Sequence, residues 1–409
     1  MIKVITKLAA FALAALLAWY IITGGILVIF GVFVMAAACY LLFITSDPLE
    51  QVGGRIGKSL HLPDDVIAST FQALATSGPE IVMAVLAASA YIEASSSWNV
   101  LGLGERGSAG MLNMCFSAMD NLLGIGCVAM IFMMAKNYID GEDKVVVEPS
   151  VIGGLSFYIV SSGCLCLFIQ TSSHVITLDN GREIIGHTLN VWQSWVLAGI
   201  GIAFIISQFF LPSVLRERHK RRVAAGLEPE LPEEDEDGDE EEEAPVPSSP
   251  FTWLRDLLGN GFIYAFLVFG LIVFVRESMG ATFNMATVGV ISVGGVLIMF
   301  TSYVSSFPEF MMSYRYAISN NKSALLGMLF GSNVIDLAFA GFRAIKLGEP
   351  MNVYTTGRMQ FLFPVYLWCL PVLAMISLVA LNKGWFKYKH AYVLVIFYIA
   401  YIVSGFILL

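Results

Sequence analysis

The chain has little charge. Only 13% of its 409 residues are Asp, Glu, Lys or Arg, where soluble domains carry about 25%. So sparse a set cannot cover a water-soluble globule, which excludes a soluble cytoplasmic enzyme. Cysteine is also scarce. The six present (Cys39, Cys115, Cys127, Cys164, Cys166 and Cys369) all lie in apolar runs without zinc-like spacing. Free cysteine packs as a small hydrophobe, and these read as core packing. The five histidines, His61, His174, His187, His219 and His390, fall at segment ends or in loops, which suits interfacial solvation better than a proton relay. No HExxH, GxSxG, Walker or GxGxxG pattern stands in a suitable context. No enzyme chemistry and no organic cofactor is implied.

What the chain has is hydrophobic length: 57% of residues are hydrophobic. A membrane helix needs about 20 mainly apolar residues. Eleven segments meet this requirement, at 5–22, 24–44, 62–93, 108–134, 149–170, 190–211, 259–276, 283–317, 324–342, 361–381 and 391–409. The first also reads as a signal sequence, because Lys3 and Lys7 lead into it. The cluster Arg216, Arg218, Lys220, Arg221 and Arg222 follows the sixth segment and marks a cytoplasmic end. Threading from that anchor places 17 of the 23 bases inside.

One stretch breaks the apolar pattern. Residues 228–243 hold 12 of the 32 acids and no base, so the remainder carries 20 acids against 23 bases. With the Pro/Ser-rich stretch 244–250 it cannot bury a core and reads as a solvated tether. An amphipathic stretch at 251–258 suits the cytoplasmic membrane surface. The expected organisation is an N-terminal hydrophobic segment or signal (1–23), a first repeat (24–215), a cytoplasmic acidic linker with its amphipathic helix (216–258) and a second repeat (259–409).

Two segments share an unusual pattern. The third contains Ala75-Thr76-Ser77-Gly78-Pro79-Glu80, and the eighth Val304-Ser305-Ser306-Phe307-Pro308-Glu309. Each has two hydroxyl residues, a spacer and Pro-Glu inside an apolar run. Proline removes a backbone donor, so the helix is expected to break there. Broken backbone at membrane depth survives only where it lines a protein cavity, and a carboxylate there needs a cation or a partner. Each unit precedes a second one: Ser117-Ala118-Met119-Asp120-Asn121 and Ser332-Asn333-Val334-Ile335-Asp336. Their serine and amide or acid stand four apart, on one helical face. A single kinked helix with a buried Glu paired to Arg has a purely structural explanation; a doubled kink, Glu and Ser-x3-Asn/Asp does not. The Glu-bearing spans are the third and the eighth, an odd number of spans apart, so they run antiparallel. That defines an all-α polytopic membrane protein with two inverted-topology five-helix repeats, a plan of secondary transporters.

Hard cations such as Ca2+ take about 6–8 oxygen ligands. Glu80, Glu309 and Asp336 supply carboxylates and Asn121 an amide oxygen. Thr76, Ser77, Ser305, Ser306, Ser117 and Ser332 add hydroxyls. Asp120 is awkward. On an ideal helix it points about 100° from Asn121, outside the shell. With the register shifted by one it is the ligand instead, and buried it can also stay protonated. Gln72 and Asn333 read as helix-packing hydrogen bonders.

These residues resemble the Na+/Ca2+ exchanger superfamily of calcium/cation antiporters, which carries two inverted repeats with TS-x-PE and GSN-x-x-N/D motifs. The stretch Leu62–Phe71, Ser117-Ala118 with Asn121, and Gly331–Asp336 are most similar to the K+-dependent branch. Ala75 and Phe116 stand where the family has Gly, and Glu309 where that branch has Asp. The resemblance implies a cation antiporter exchanging Ca2+ for Na+, and its K+-dependent branch implies K+ co-transport, the partners being inorganic cations and the lipid bilayer. It implies the plasma membrane, with an organelle or bacterial inner membrane as alternatives. Divalent-cation/H+ exchange is the runner-up reading, and a passive cation channel the reading from another class.

Overall fold

The computed structural model describes residues 48, 51–57, 59–60, 62, 64–78, 80–81, 106–137, 147, 149–177, 183–224, 255, 258–263, 265, 302–355, 359–382, 387 and 390–408. The first two segments, Pro79, the acidic run and 283–301 lie outside them, as does most of 251–276. Helices dominate. The first described piece runs as α1 (Asp64–Ile67), a π-helical turn (Ala68–Gln72) and α2 (Ala73–Thr76). Then come α3 (Arg106–Met119), a second π-helical turn (Asp120–Ile125) and α4 (Gly126–Asn137). The first half closes with α5 (Pro149–Thr171) and α6 (Val191–Ala224). The second half holds α7 (Ser302–Ser305), α8 (Phe307–Ile318), α9 (Lys322–Phe339), α10 (Phe342–Leu347), α11 (Met359–Asn382) and α12 (His390–Leu408).

Among the described residues five helical runs are long and apolar enough to cross a membrane: Met114–Met133, Val151–Thr171, Val191–Phe210, Lys322–Leu347 and Phe363–Leu381. Their polar side chains are mostly turned inward or back onto the helix. In α5, Ser156 donates to the Ile152 carbonyl (2.8 Å) and Ser162 to that of Tyr158 (2.6 Å), which hides each hydroxyl from lipid. The outer faces are apolar: Leu167 on α5, Phe210 on α6, Ile376 on α11 and Ile396 on α12 are all exposed. In water such a surface would aggregate, whereas in a bilayer it faces the solvent that suits it.

α6 outruns its apolar segment. The helix continues past 211 through the basic cluster to Ala224. Its 34 residues span about 51 Å, well beyond a hydrocarbon core of about 30 Å. Pro212 does not end it.

α9 is the hub. Asn321 caps it by accepting from the Ala324 N–H (2.8 Å), one of the orphan donors at a helix start. Every residue from Lys322 to Ala338 is buried, and the helix packs on α1, α3, α5, α6 and α8. Small residues set the spacing. A Cβ at Gly331 would lie 2.4 Å from the Ser69 carbonyl oxygen, and one at Gly201 of α6 would lie 2.4 Å from the Cβ of Ala338. Cys166 donates its thiol to the Leu367 carbonyl (3.0 Å), a packing contact between α5 and α11.

The connections carry strands that hydrophobic periodicity did not announce. β1 (Ser173–Thr177) and β2 (Glu183–Leu189) form an antiparallel hairpin, and β2 also pairs antiparallel with β3 (Met351–Thr355). Hydrogen bonds of one small sheet therefore join the loop before α6 to the loop before α11. His187 is buried in it, with Nδ1 3.0 Å from the Ile169 carbonyl. A carbonyl only accepts, so Nδ1 carries the proton, and Nε2 is buried without a partner. Burial lowers the His187 pKa from the usual 6.5.

Two outcomes follow. Gly331→Ala meets backbone that cannot yield and should destabilise by about 1–3 kcal/mol, read by thermal unfolding in detergent. Gly163→Ala, with nothing within 4 Å, should not. Second, the folded chain holds His187 neutral while the unfolded chain takes up a proton below about pH 6.5. Stability should therefore fall as pH drops through that range. His187→Asn should flatten the dependence of the unfolding midpoint on pH between about 7.5 and 5.5.

Candidate cation site

Both Pro-Glu units break their helices at the same position. Ser77 follows α2 with φ −74° and ψ 0°, and Ser306 follows α7 with φ −82° and ψ 7°. Both lie in the sparsely used bridge region. Each break falls on the second hydroxyl residue, two ahead of the proline in sequence. Pro308 enters within the first turn of α8, where a missing N–H costs nothing. The hydrogen-bond pattern is repeated. The Ser77 and Ser306 N–H groups bond to Ala73 and Ser302 carbonyls (2.9 Å each), and their own carbonyls accept from Ile81 (3.0 Å) and Phe310 (3.1 Å).

The side chains repeat the same two-fold logic. The Ser117 hydroxyl donates to Glu80 Oε1 (2.9 Å), and its counterpart Ser332 donates to Glu309 Oε1 (2.8 Å). Each serine also meets the hydroxyl of the other half: Ser117 with Ser306, and Ser332 with Ser77, both at 2.7 Å. Thr76 faces Glu309 and Ser305 faces Glu80, again crossing between halves. All eight of these side chains, with Asn121 and Asp336, are essentially inaccessible to solvent.

Asn121 donates Nδ2 to Asn333 Oδ1 (3.1 Å), and Asn333 Nδ2 reaches the Ala118 carbonyl (3.4 Å). This leaves the Asn121 Oδ1 atom buried without a partner. Glu80 Oε2, Glu309 Oε2 and both oxygens of Asp336 share that condition. Asp336 lies on the side of Ser77, within electrostatic reach of both glutamates. Among the described residues no group of three or more His, Cys, Asp or Glu side chains is set to hold a metal alone. The cluster is mixed, with carboxylates interleaved among hydroxyls and an amide.

Asp120 takes a different direction. It opens the π-helical turn, is fully buried, and has the hydroxyls of Ser302 and Tyr398 beside it. Sequence reasoning missed both neighbours. Ser302 had a faint signal, one turn before Ser305, but Tyr398 was one aromatic among many in an apolar run. Gln72 is buried with Oε1 unpartnered, whereas its neighbour Ser69 donates to Gln208 Oε1 of α6 (2.9 Å).

Residues 28–210 match the family profile described as "Sodium/calcium exchanger protein". That region holds Glu80, Ser117 and Asn121 but not their second-half counterparts. Over 91% of the chain the fold is similar to that of the sodium-calcium exchanger NCX_Mj. The NCX_Mj structure soaked with 2.5 mM Na+ and 1 mM Sr2+ matches with a TM-score of 0.56 at 15% identity, covering 91% of this chain and 97% of that one. The form soaked with zero Na+ and Ca2+ matches at 0.53 and 18%, covering 92% and 99%. No curated protein sequence matches. The fold match and the apolar helical runs agree on an integral, multi-pass membrane protein.

The repeated geometry makes Ser117 and Ser332 equivalent. Ser117→Ala and Ser332→Ala should each destabilise by about 1–3 kcal/mol, because each leaves buried acceptors unpaired. Thermal unfolding should find the two losses within about 1 kcal/mol of each other; one variant without effect would contradict the equivalence.

Proposed function

We propose that the chain exchanges Ca2+ for Na+ by alternating access at a site near the membrane midplane, built jointly by its two repeats. Glu80, Glu309 and Asp336 would supply charge. Asn121, Thr76, Ser77, Ser117, Ser305, Ser306 and Ser332 would supply neutral oxygens. The observation that carries this reading is the set of buried oxygens without partners on Glu80, Glu309, Asp336 and Asn121. An unpaired buried acceptor costs about 1–3 kcal/mol, and more when charged. A hard cation ligated by carboxylate, hydroxyl and carbonyl oxygens removes that cost. Three carboxylates balance Ca2+ with one monovalent ion, or three Na+. A charged site without cations is penalised in low dielectric, so reorientation is favoured only when ions fill it, which is the condition for obligatory exchange.

The crossed hydroxyls support the joint site. Because Ser117 meets Ser306 and Ser332 meets Ser77, one half cannot shift without changing the oxygen set of the other. The NCX_Mj crystals soaked with Na+ and Sr2+ supply the parallel for the ions. K+ co-transport fits the charge balance, and the proposed location is the plasma membrane. The proposed division follows the repeats: 24–215 and 259–409, joined by a cytoplasmic linker at 216–258 and preceded by the hydrophobic segment 1–23.

The test is 45Ca2+ uptake into Na+-loaded proteoliposomes diluted into choline, with and without external K+. Uptake requiring internal Na+ is expected. Glu80→Gln and Glu309→Gln should each lower it by roughly tenfold or more while purifying as folded protein. Normal transport by both variants removes the site assignment. Uptake without any internal counter-ion would point to a channel, and uptake driven only by a proton gradient to cation/H+ exchange.

A further inference from the structure

We propose that Asp120, Ser302 and Tyr398 form a second cation site, for a monovalent ion, beside the central one. The inference rests on the exchanger reading above and extends its ion inventory. Asp120 is fully buried, and neither carboxylate oxygen has a hydrogen-bond partner. A lone buried carboxylate is costly unless a cation neutralises it. No basic side chain among the described residues acts on it; the groups beside it are the hydroxyls of Ser302 and Tyr398. Two carboxylate and two hydroxyl oxygens form a hard-oxygen donor set suited to a Group 1 or Group 2 ion. The single negative charge selects a monovalent ion over Ca2+.

The site differs from the central cluster in its partners but shares its walls. Ser117 bonds to Glu80, and Asp120 stands three residues further along the same helical run. Ser305 faces Glu80, and Ser302 stands one turn before it, where its carbonyl accepts from the Ser305 hydroxyl (3.1 Å). Asp120 also opens a π-helical turn, a backbone irregularity that occurs mostly at functional positions. The third wall comes from α12. The Tyr398 ring sits so close to Gly124 that a Cβ there would lie 2.5 Å from its Cζ and 2.8 Å from its hydroxyl oxygen. Only glycine at 124 admits the ring, and the ring brings its hydroxyl towards Asp120. Tyr398 is held from behind by stacking on Tyr401, with ring centroids 6.0 Å apart. An ion here would tie the last helix of the chain to the first repeat.

The test is scintillation-proximity binding of 22Na+ and 45Ca2+ to the purified full-length transporter. Asp120→Asn should bind about one Na+ fewer per protein than the wild type. Tyr398→Phe, which keeps the packing and removes one oxygen, should raise the half-saturating Na+ concentration by about two- to tenfold. A full Na+ complement in Asp120→Asn would overturn the proposal, since a merely structural, neutral Asp120 is mimicked by Asn. Loss of bound Ca2+ with Na+ retained would overturn the monovalent assignment. Should Asp120→Asn fail to fold, Tyr398→Phe decides, and an unaltered Na+ half-saturation overturns the second site. Wild-type protein that binds no 22Na+ would instead refute the exchanger reading itself.

Discussion

Everything in this molecule is arranged around the cost of placing carboxylates inside an apolar bundle. Glu80, Glu309, Asp336 and Asp120 are all sealed from solvent, where water would otherwise solvate them. Unpaired and ionised, each would be too expensive to keep. The chain lowers that cost by bringing hydroxyls to the acids. It obtains those hydroxyls by interrupting two helices at Ser77 and Ser306, so that side chains converge from both halves. The broken backbone survives because protein, not lipid, surrounds it. Hydroxyls suit this task better than arginines would: they donate to a carboxylate yet turn to accept when a cation arrives.

That arrangement imposes a packing requirement. Two broken helices and two intact ones must approach closely enough for side chains as short as serine to meet across the halves. Small residues make this possible. Gly331 of α9 lies against the Ser69 carbonyl in the π-helical turn, and Gly201 of α6 lies against Ala338. α9 can therefore sit at the centre with nearly all of its surface buried, presenting Ser332 and Asp336 to the first half. Association of apolar helices in lipid has no hydrophobic drive of its own, so close packing and interhelical hydrogen bonds must supply it. The Asn121–Asn333 bond is one such contact, and it belongs to the same face as the candidate ligands.

Much of this was legible in the sequence because it is written twice. Hydrophobic length located the described spans to within a few residues, as α5 against 149–170 and α11 against 361–381 illustrate. The doubled Pro-Glu and Ser-x3-Asn/Asp units picked out side chains that the fold does bring together. Other features escaped for physical reasons. The helix breaks fall on Ser77 and Ser306, two residues ahead of each proline in sequence, because proline is comfortable in a new first turn, as Pro308 is in α8. The π-helical turns leave no compositional trace, since they alter hydrogen-bond register rather than residue preference. The β1–β2–β3 sheet depends on pairing between loops far apart in the chain, which short-range alternation does not reveal. Tyr398 could not be singled out, because an aromatic in an apolar span looks the same whether its hydroxyl meets a carboxylate or the membrane interface.

The crossed serines have a mechanical implication that neither half would carry alone. In a transporter whose acids were each satisfied within one repeat, either repeat could rock without disturbing the other's ligands. Here Glu80 takes hydroxyls from Ser117 of its own half and Ser305 of the other, and Glu309 does the same with Ser332 and Thr76. Any relative motion of the halves at this level must exchange hydrogen bonds at both glutamates at once. The lowest-cost motion therefore leaves the crossing intact and moves helices around it. α6, α11 and α12 present broad apolar faces to lipid and can slide there without exposing polar groups. A fixed centre within a moving periphery is what the proposed alternating access around one site would require, and the crossed hydroxyls would supply that centre.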